Sequence, residues 1–125
     1  MTTQSRLGVT FLYHVTHKDH VAAILARGLT PSYDYYLDDT VVNTVTHENL
    51  PRAVLIVERS TDVERENLAI IAISAPRVLF TRRKPDAVAV EGQEWLEGFF
   101  WYTTTDDIPP ACVRLYDLEP AQLEY

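Results

Sequence analysis

The residue types that carry chemistry are gathered near the start of the chain, where His14, Thr16, His17 and His20 follow one another closely, with His47 farther on. Imidazoles at 14, 17 and 20 are spaced as metal ligands on one helix face would be. His14 belongs to a strand, which breaks that face, and a metal site needs converging, supported ligands. No metal is expected. Nucleophilic catalysis has little to work with. Cys112 is the lone cysteine and lies in the apolar run Ala111, Cys112, Val113, where a small core side chain is the ordinary reading. No Gly-x-Ser-x-Gly elbow is present, and the four glycines form no phosphate-cradling loop. Two groupings remain. One is the polar pair His14 and Thr16 flanking Val15 at a strand end, suited to orienting a ligand by hydrogen bonds. The other is the carboxylate set Glu91, Glu94 and Glu97 ahead of an aromatic run. Glu94 and Glu97 share a face if that stretch is helical, and Glu91, Gln93 and Glu97 share one if it is extended.

The elements that position these residues follow from pattern. Residues 12–16 form a short apolar strand, and an abruptly started helix follows, stopped at Gly28. Thr16 can cap that helix, Asp19 adds a carboxylate to its first turn, and Val21, Ile24 and Leu25 share one face. Gly28 suits the left-handed position past the helix end, and Pro31 forbids continuation. Residues 32–43, rich in Tyr and Asp, are expected to form a loop across a pocket mouth. Tyr33, Tyr35 and Tyr36 in it could wall a flat ligand. A strand over 41–45 leads into a helix started at Thr46, with Pro51 in its first turn; the apolar, β-branched run 53–57 fits that helix or a strand, and the start signals favour the helix. Residues 60–67 read as a charged turn. The continuous apolar run 68–73 is a central strand covered on both faces, ended by Pro76. Short strands are expected at 78–80, 87–90, 98–103 and 112–116, with a basic turn at Arg82, Arg83 and Lys84 and a loop at 106–110. Strands outnumber helices and the helices come early, so the class is α+β.

The 125 residues fit one domain, residues 1–125, with residues 1–8 as a flexible tail. No stretch reaches the roughly 20 apolar residues of a membrane span, and residues 1–6 lack a secretory signal. A single cysteine excludes an internal disulfide and points to a reducing, cytoplasmic setting. The formal net charge of −7 argues against broad attachment to nucleic acid or anionic membrane.

Tyr13-His14-Val15-Thr16, followed by Ile24-Leu25-Ala26-Arg27-Gly28-Leu29 and, near the other end, Ile108-Pro109, resembles the ADP-ribosyltransferase superfamily. The order of elements is similar over most of the chain. DNA-targeting ADP-ribosyltransferase toxins and RNA 2′-phosphotransferases are similar in kind. The sequence departs from the pattern in carrying Val15 where many members have Gly. It has no aromatic residue in 42–46, and no matching Arg–His set for a phosphotransferase. The resemblance implies a small fold of two short, mostly antiparallel sheets forming a cleft, with helices packed on the early strands.

It also implies NAD as cofactor and transfer of ADP-ribose to a protein or nucleic-acid acceptor. Cleaving the nicotinamide–ribose bond builds positive charge on the ribose, and a carboxylate aimed into the pocket stabilises it. Glu97 is the matching position, with Glu94 and Glu91 as alternatives. His14 would hold a ribose hydroxyl, the Val15 backbone the carboxamide, and Thr16, Tyr33, Tyr35 and Tyr36 would line the pocket. A non-catalytic module of the same fold, sensing a nucleotide or binding a protein as an inhibitor, is the competing reading. A third is an unrelated domain whose acidic surface, from Asp34, Asp38, Asp39, Glu64 and Glu66, mimics nucleic acid and lacks a cleft.

Overall fold

The apolar run beginning at Leu68 becomes the central strand of the first of two sheets. The structure is a computed structural model and describes residues 9–34, 37, 39–76, 79–84, 99–117 and 120. Strand β4 (Leu68–Pro76) lies between β1 (Val9–His17) and β7 (Val113–Leu115), antiparallel to both. Every residue from Leu68 to Ile73 is buried. Leu68, Ile70 and Ala72 face one apolar cluster, with Tyr13, Val15, Leu50, Val54, Phe99 and Trp101; Ile71 and Ile73 face a second, with Ile24, Leu29, Val42 and Ile108. An unbroken apolar strand is what two covered faces require. The second sheet, in the order β2 (Ser32–Asp34), β3 (Asp39–Thr44), β6 (Trp101–Thr104) and β5 (Thr81–Arg83), is also antiparallel. The fold is therefore α+β, as its composition of elements implied.

Two helices complete it among the described residues. In α1 (Val21–Arg27), Val21 and Ile24 point to the second cluster, and the helix packs against β7 and the turn Pro110–Cys112. Leu25, expected on that buried face, is 40 % exposed because it lies about 100° around the helix from the buried Ile24, at the edge of the face. In α2 (Leu50–Thr61), Leu50, Ala53, Val54 and Ile56 are buried, and the helix packs on β1. It enters through the turn His47–Asn49, with Thr46 at the cap position in extended conformation and Pro51 in the first turn. This helix runs to Thr61, past the expected turn at residue 60, and ends at Asp62 in left-handed conformation.

Three further expectations change. Thr16 stays in β1 and does not cap the helix. His17 takes that role at the preceding turn Lys18–His20, its Nδ1 accepting from the Asp19 amide at 3.0 Å. Leu79 and Phe80 lie in a turn, and the strand is the basic segment after them. There Arg83 reaches past β6 to donate to Asp39 Oδ2 at 2.7 Å and to the Leu37 carbonyl, so the guanidinium ties the sheet together. Residues 32–43 are mostly strand: Ser32–Asp34 pairs with Asp39–Val41 instead of forming a free loop. The expected tail 1–8 and the strand at 87–90 lie outside the described residues.

Two isolated bridges among the described residues tie the fold together, and the first of them joins the sheets. Tyr13 and Val45 exchange both backbone hydrogen bonds, at 2.9 and 2.8 Å, and Leu29 and Ile108 do the same. The second bridge joins the two ends of the chain singled out in the sequence. Gly28 makes it possible with φ +86 and ψ −168, a region essentially confined to glycine.

Candidate functional site

Beyond the Tyr13–Val45 bridge, β1 and β3 do not continue to pair. Continuation of that antiparallel ladder would put Val15 opposite Asn43 and join their backbones. The His14 side chain intervenes: its Nδ1–H donates to the Asn43 carbonyl at 2.7 Å. The strands splay, and a cavity of about 600 Å³ opens between the sheets. Its walls come from β1 and the following turn (His14, Val15, Thr16, His17, Asp19, His20), from β2 and β3 (Ser32, Tyr33, Asp34, Asn43), and from α2, β4 and β6. A volume in the range of about 300–1,000 Å³ suits a small-molecule or cofactor site.

The geometry leaves specific groups facing that space. Tyr13 spends its amide and carbonyl on Val45, on the side away from β4. Alternation along an antiparallel strand turns the Val15 N–H and C=O to the same side. In agreement, the Ile70 carbonyl, across from Val15 on β4, accepts from the Tyr116 amide instead. Val15 thus presents a donor and an acceptor side by side at the cleft. The His14 tautomer is fixed by its Nδ1 bond, which makes Nε2 an acceptor. The Thr16 hydroxyl lies 3.3 Å from His20 Nδ1. Tyr33 is 62 % exposed and stands at the mouth.

Asp34 supports this arrangement from below. It is buried, its Oδ1 accepts from the Leu37 amide at 3.0 Å, and its Oδ2 accepts from the Asn43 side-chain amide. A carboxylate therefore fixes Asn43, whose carbonyl in turn fixes His14. The third reading of the sequence puts Asp34 in an acidic surface patch without a cleft. Burial of Asp34 in the cleft wall overturns that. The signal available was its position between two tyrosines at a turn, where Asp commonly accepts from the backbone a few residues on.

His14 holds its pKa below the ordinary imidazole value, first because burial disfavours the charged ring, with His20 adding to the effect; the Asn43 hydrogen bonds and Asp34 oppose it. The ring is thereby kept neutral, as an acceptor at Nε2 requires. The consequence for stability has a definite sign. Above about pH 6.5 His14 is neutral folded or unfolded and contributes no pH dependence. As pH falls through that value the unfolded chain takes up a proton the folded site resists, so stability drops until the lower folded pKa is passed. His14→Gln should flatten this part of the curve in thermal melts between pH 7.5 and 5. An unchanged slope would show that the ring is not shielded as described.

Of the residues singled out in the sequence, His14, Val15, Thr16 and Tyr33 come together in one cleft. Tyr35, Tyr36, Glu91, Glu94 and Glu97 lie outside the described residues. Among the described residues no three of His, Cys, Asp or Glu converge as metal ligands, and no helix is long and apolar enough to cross a membrane. No protein-family profile, curated protein or solved structure matches this chain.

Proposed function

We propose that the chain is an ADP-ribosyltransferase-like protein that binds NAD in this cleft and transfers ADP-ribose to a macromolecular acceptor. One observation carries the reading: β1 turns the Val15 N–H and C=O together with a neutral His14 into a cavity large enough for the cofactor. A carboxamide offers the complementary acceptor and donor on one planar group, which matches the adjacent Val15 pair. A ribose hydroxyl can donate to His14 Nε2. These contacts orient the cofactor. The charge developing on the ribose would be met by Glu97, the position the resemblance assigns to that role.

NAD should bind with micromolar to millimolar affinity, about −8 to −4 kcal/mol. His14→Ala removes one neutral hydrogen bond and should weaken binding about 3- to 10-fold. Titration calorimetry on both proteins checks this. Absence of any NAD heat from the wild type, or equal affinity of the two, would sink the reading.

A further inference from the structure

The backbone carbonyl of Asn43 has two competing donors. Tyr13 and Val45 exchange both backbone hydrogen bonds, so the next pair of that antiparallel ladder is Val15 with Asn43. In that pair the Val15 amide donates to the Asn43 carbonyl and the Asn43 amide to the Val15 carbonyl. In the structure the His14 imidazole takes the Asn43 carbonyl instead, at 2.7 Å. Closed pairing makes two backbone hydrogen bonds, whereas the open arrangement makes one bond to the imidazole. Neutral hydrogen bonds are of comparable net worth, so His14 alone does not hold the strands apart.

Asp34 supplies a second hold. It is 8 % exposed in the cleft wall and takes no part in the contacts proposed for the cofactor. Its Oδ1 accepts from the Leu37 amide at 3.0 Å, and its Oδ2 accepts from the Asn43 side-chain amide. A hydrogen bond to a carboxylate is about twice as strong as one between neutral groups. The β2–β3 ladder ends at Ser32 and Val41, two residues short of Asn43. The side-chain tether, not the ladder, therefore fastens Asn43 to β2.

We propose that Asp34 is a positioning residue that keeps the cleft open: by holding Asn43 it reserves the Asn43 carbonyl for His14 and leaves the Val15 N–H and C=O free for a ligand. The proposal deepens the reading of the cleft as a cofactor site and rests on it. Without the tether, β1 and β3 zip by one more pair. Val15 is then consumed by Asn43, and His14 loses the acceptor that fixes its tautomer, so both groups facing the cofactor are lost together. His14→Ala leaves the tether in place and gives up the imidazole's own contact alone.

The test is amide hydrogen exchange, read residue by residue by NMR on ligand-free ¹⁵N-labelled wild type, Asp34→Ala and Asp34→Asn. In the wild type the Val15 amide should exchange faster than the Tyr13 and Val45 amides, which are bonded to each other's carbonyls. In Asp34→Ala, Val15 exchange should slow about 10-fold and NAD affinity should fall by the same factor, as when about nine-tenths of the molecules are closed and only the open fraction exchanges and binds. Simple loosening of the fold does the opposite, speeding exchange at Tyr13, Val15 and Val45 alike. Asp34→Asn still accepts from the Leu37 amide and replaces the charged hydrogen bond by a neutral one. It should slow Val15 in the same direction by less, and it carries the test if Asp34→Ala does not fold. If Val15 slows in the variants while the wild type binds no NAD, the positioning role stands and the NAD reading falls. Val15 exchange that is unchanged or faster in both variants overturns the positioning role whatever NAD does, and NAD binding by the wild type then keeps the cofactor reading. A Val15 amide already as protected as Tyr13 in the wild type also overturns it.

Discussion

Gly28→Ala should cost at least about 4–5 kcal/mol of folding stability, a loss reserved for a few named mechanisms of which backbone strain is one. At φ +86 and ψ −168 the residue occupies conformational space that a side chain disfavours. The space itself is also occupied. A Cβ built on Gly28 would sit 2.0 Å from the Ile108 carbonyl oxygen and 3.0 Å from Pro109 and Pro110 backbone atoms. That carbonyl cannot simply retreat, because it accepts from the Leu29 amide at 2.9 Å. Relief of the clash therefore breaks the bridge that fastens α1 to the distal part of the chain and loosens the cluster of Ile24, Leu29 and Ile108. Domains of this kind have only about 5–15 kcal/mol to lose. Urea denaturation followed by circular dichroism should show the variant largely unfolded or with a much lower midpoint. A loss below about 1 kcal/mol, small beside the tail of measured effects, would mean that the close approach is not real.

The second large effect is expected in catalysis. Glu97→Gln keeps the shape of the side chain and removes its charge. If that charge stabilises the ribosyl cation, the benefit appears in the transition state and not in the bound ground state. NAD turnover should fall about 10²–10³-fold, as when one preorganised electrostatic group is lost, while NAD affinity stays nearly unchanged. Background hydrolysis of NAD is the assay that needs no knowledge of the acceptor. Equal turnover by wild type and variant removes Glu97 from the mechanism, and the same comparison for Glu94→Gln and Glu91→Gln shows whether a neighbour takes the role. NAD binding without turnover in any of these proteins, with acceptors of both macromolecular classes supplied, would favour the nucleotide-sensing or inhibitor module.

The features legible along the chain are mostly local. The apolar run 68–73 pointed to a strand covered on both faces, because it leaves no polar face for water. Gly28 could be marked as a special backbone position because glycine ends helices where φ turns positive. The Tyr13-His14-Val15-Thr16 segment could be marked as a polar strand end. Tertiary structure decided everything that depends on partners distant along the chain. That His14 is held by Asn43, that Asn43 is held by Asp34, and that Gly28 is demanded by Ile108 rather than by the helix end alone are long-range facts with no local signature. Leu25 departs from the expected face because it sits about 100° around the helix from Ile24, and which edge of an apolar stripe is covered depends on the packing partner. Residues 32–34 were misread as loop because a three-residue strand has too few positions to show alternation. The opening of the cleft was equally invisible in sequence: it exists because one bridge joins the sheets at Tyr13 and Val45, and an imidazole takes the carbonyl that the next backbone pair would have used.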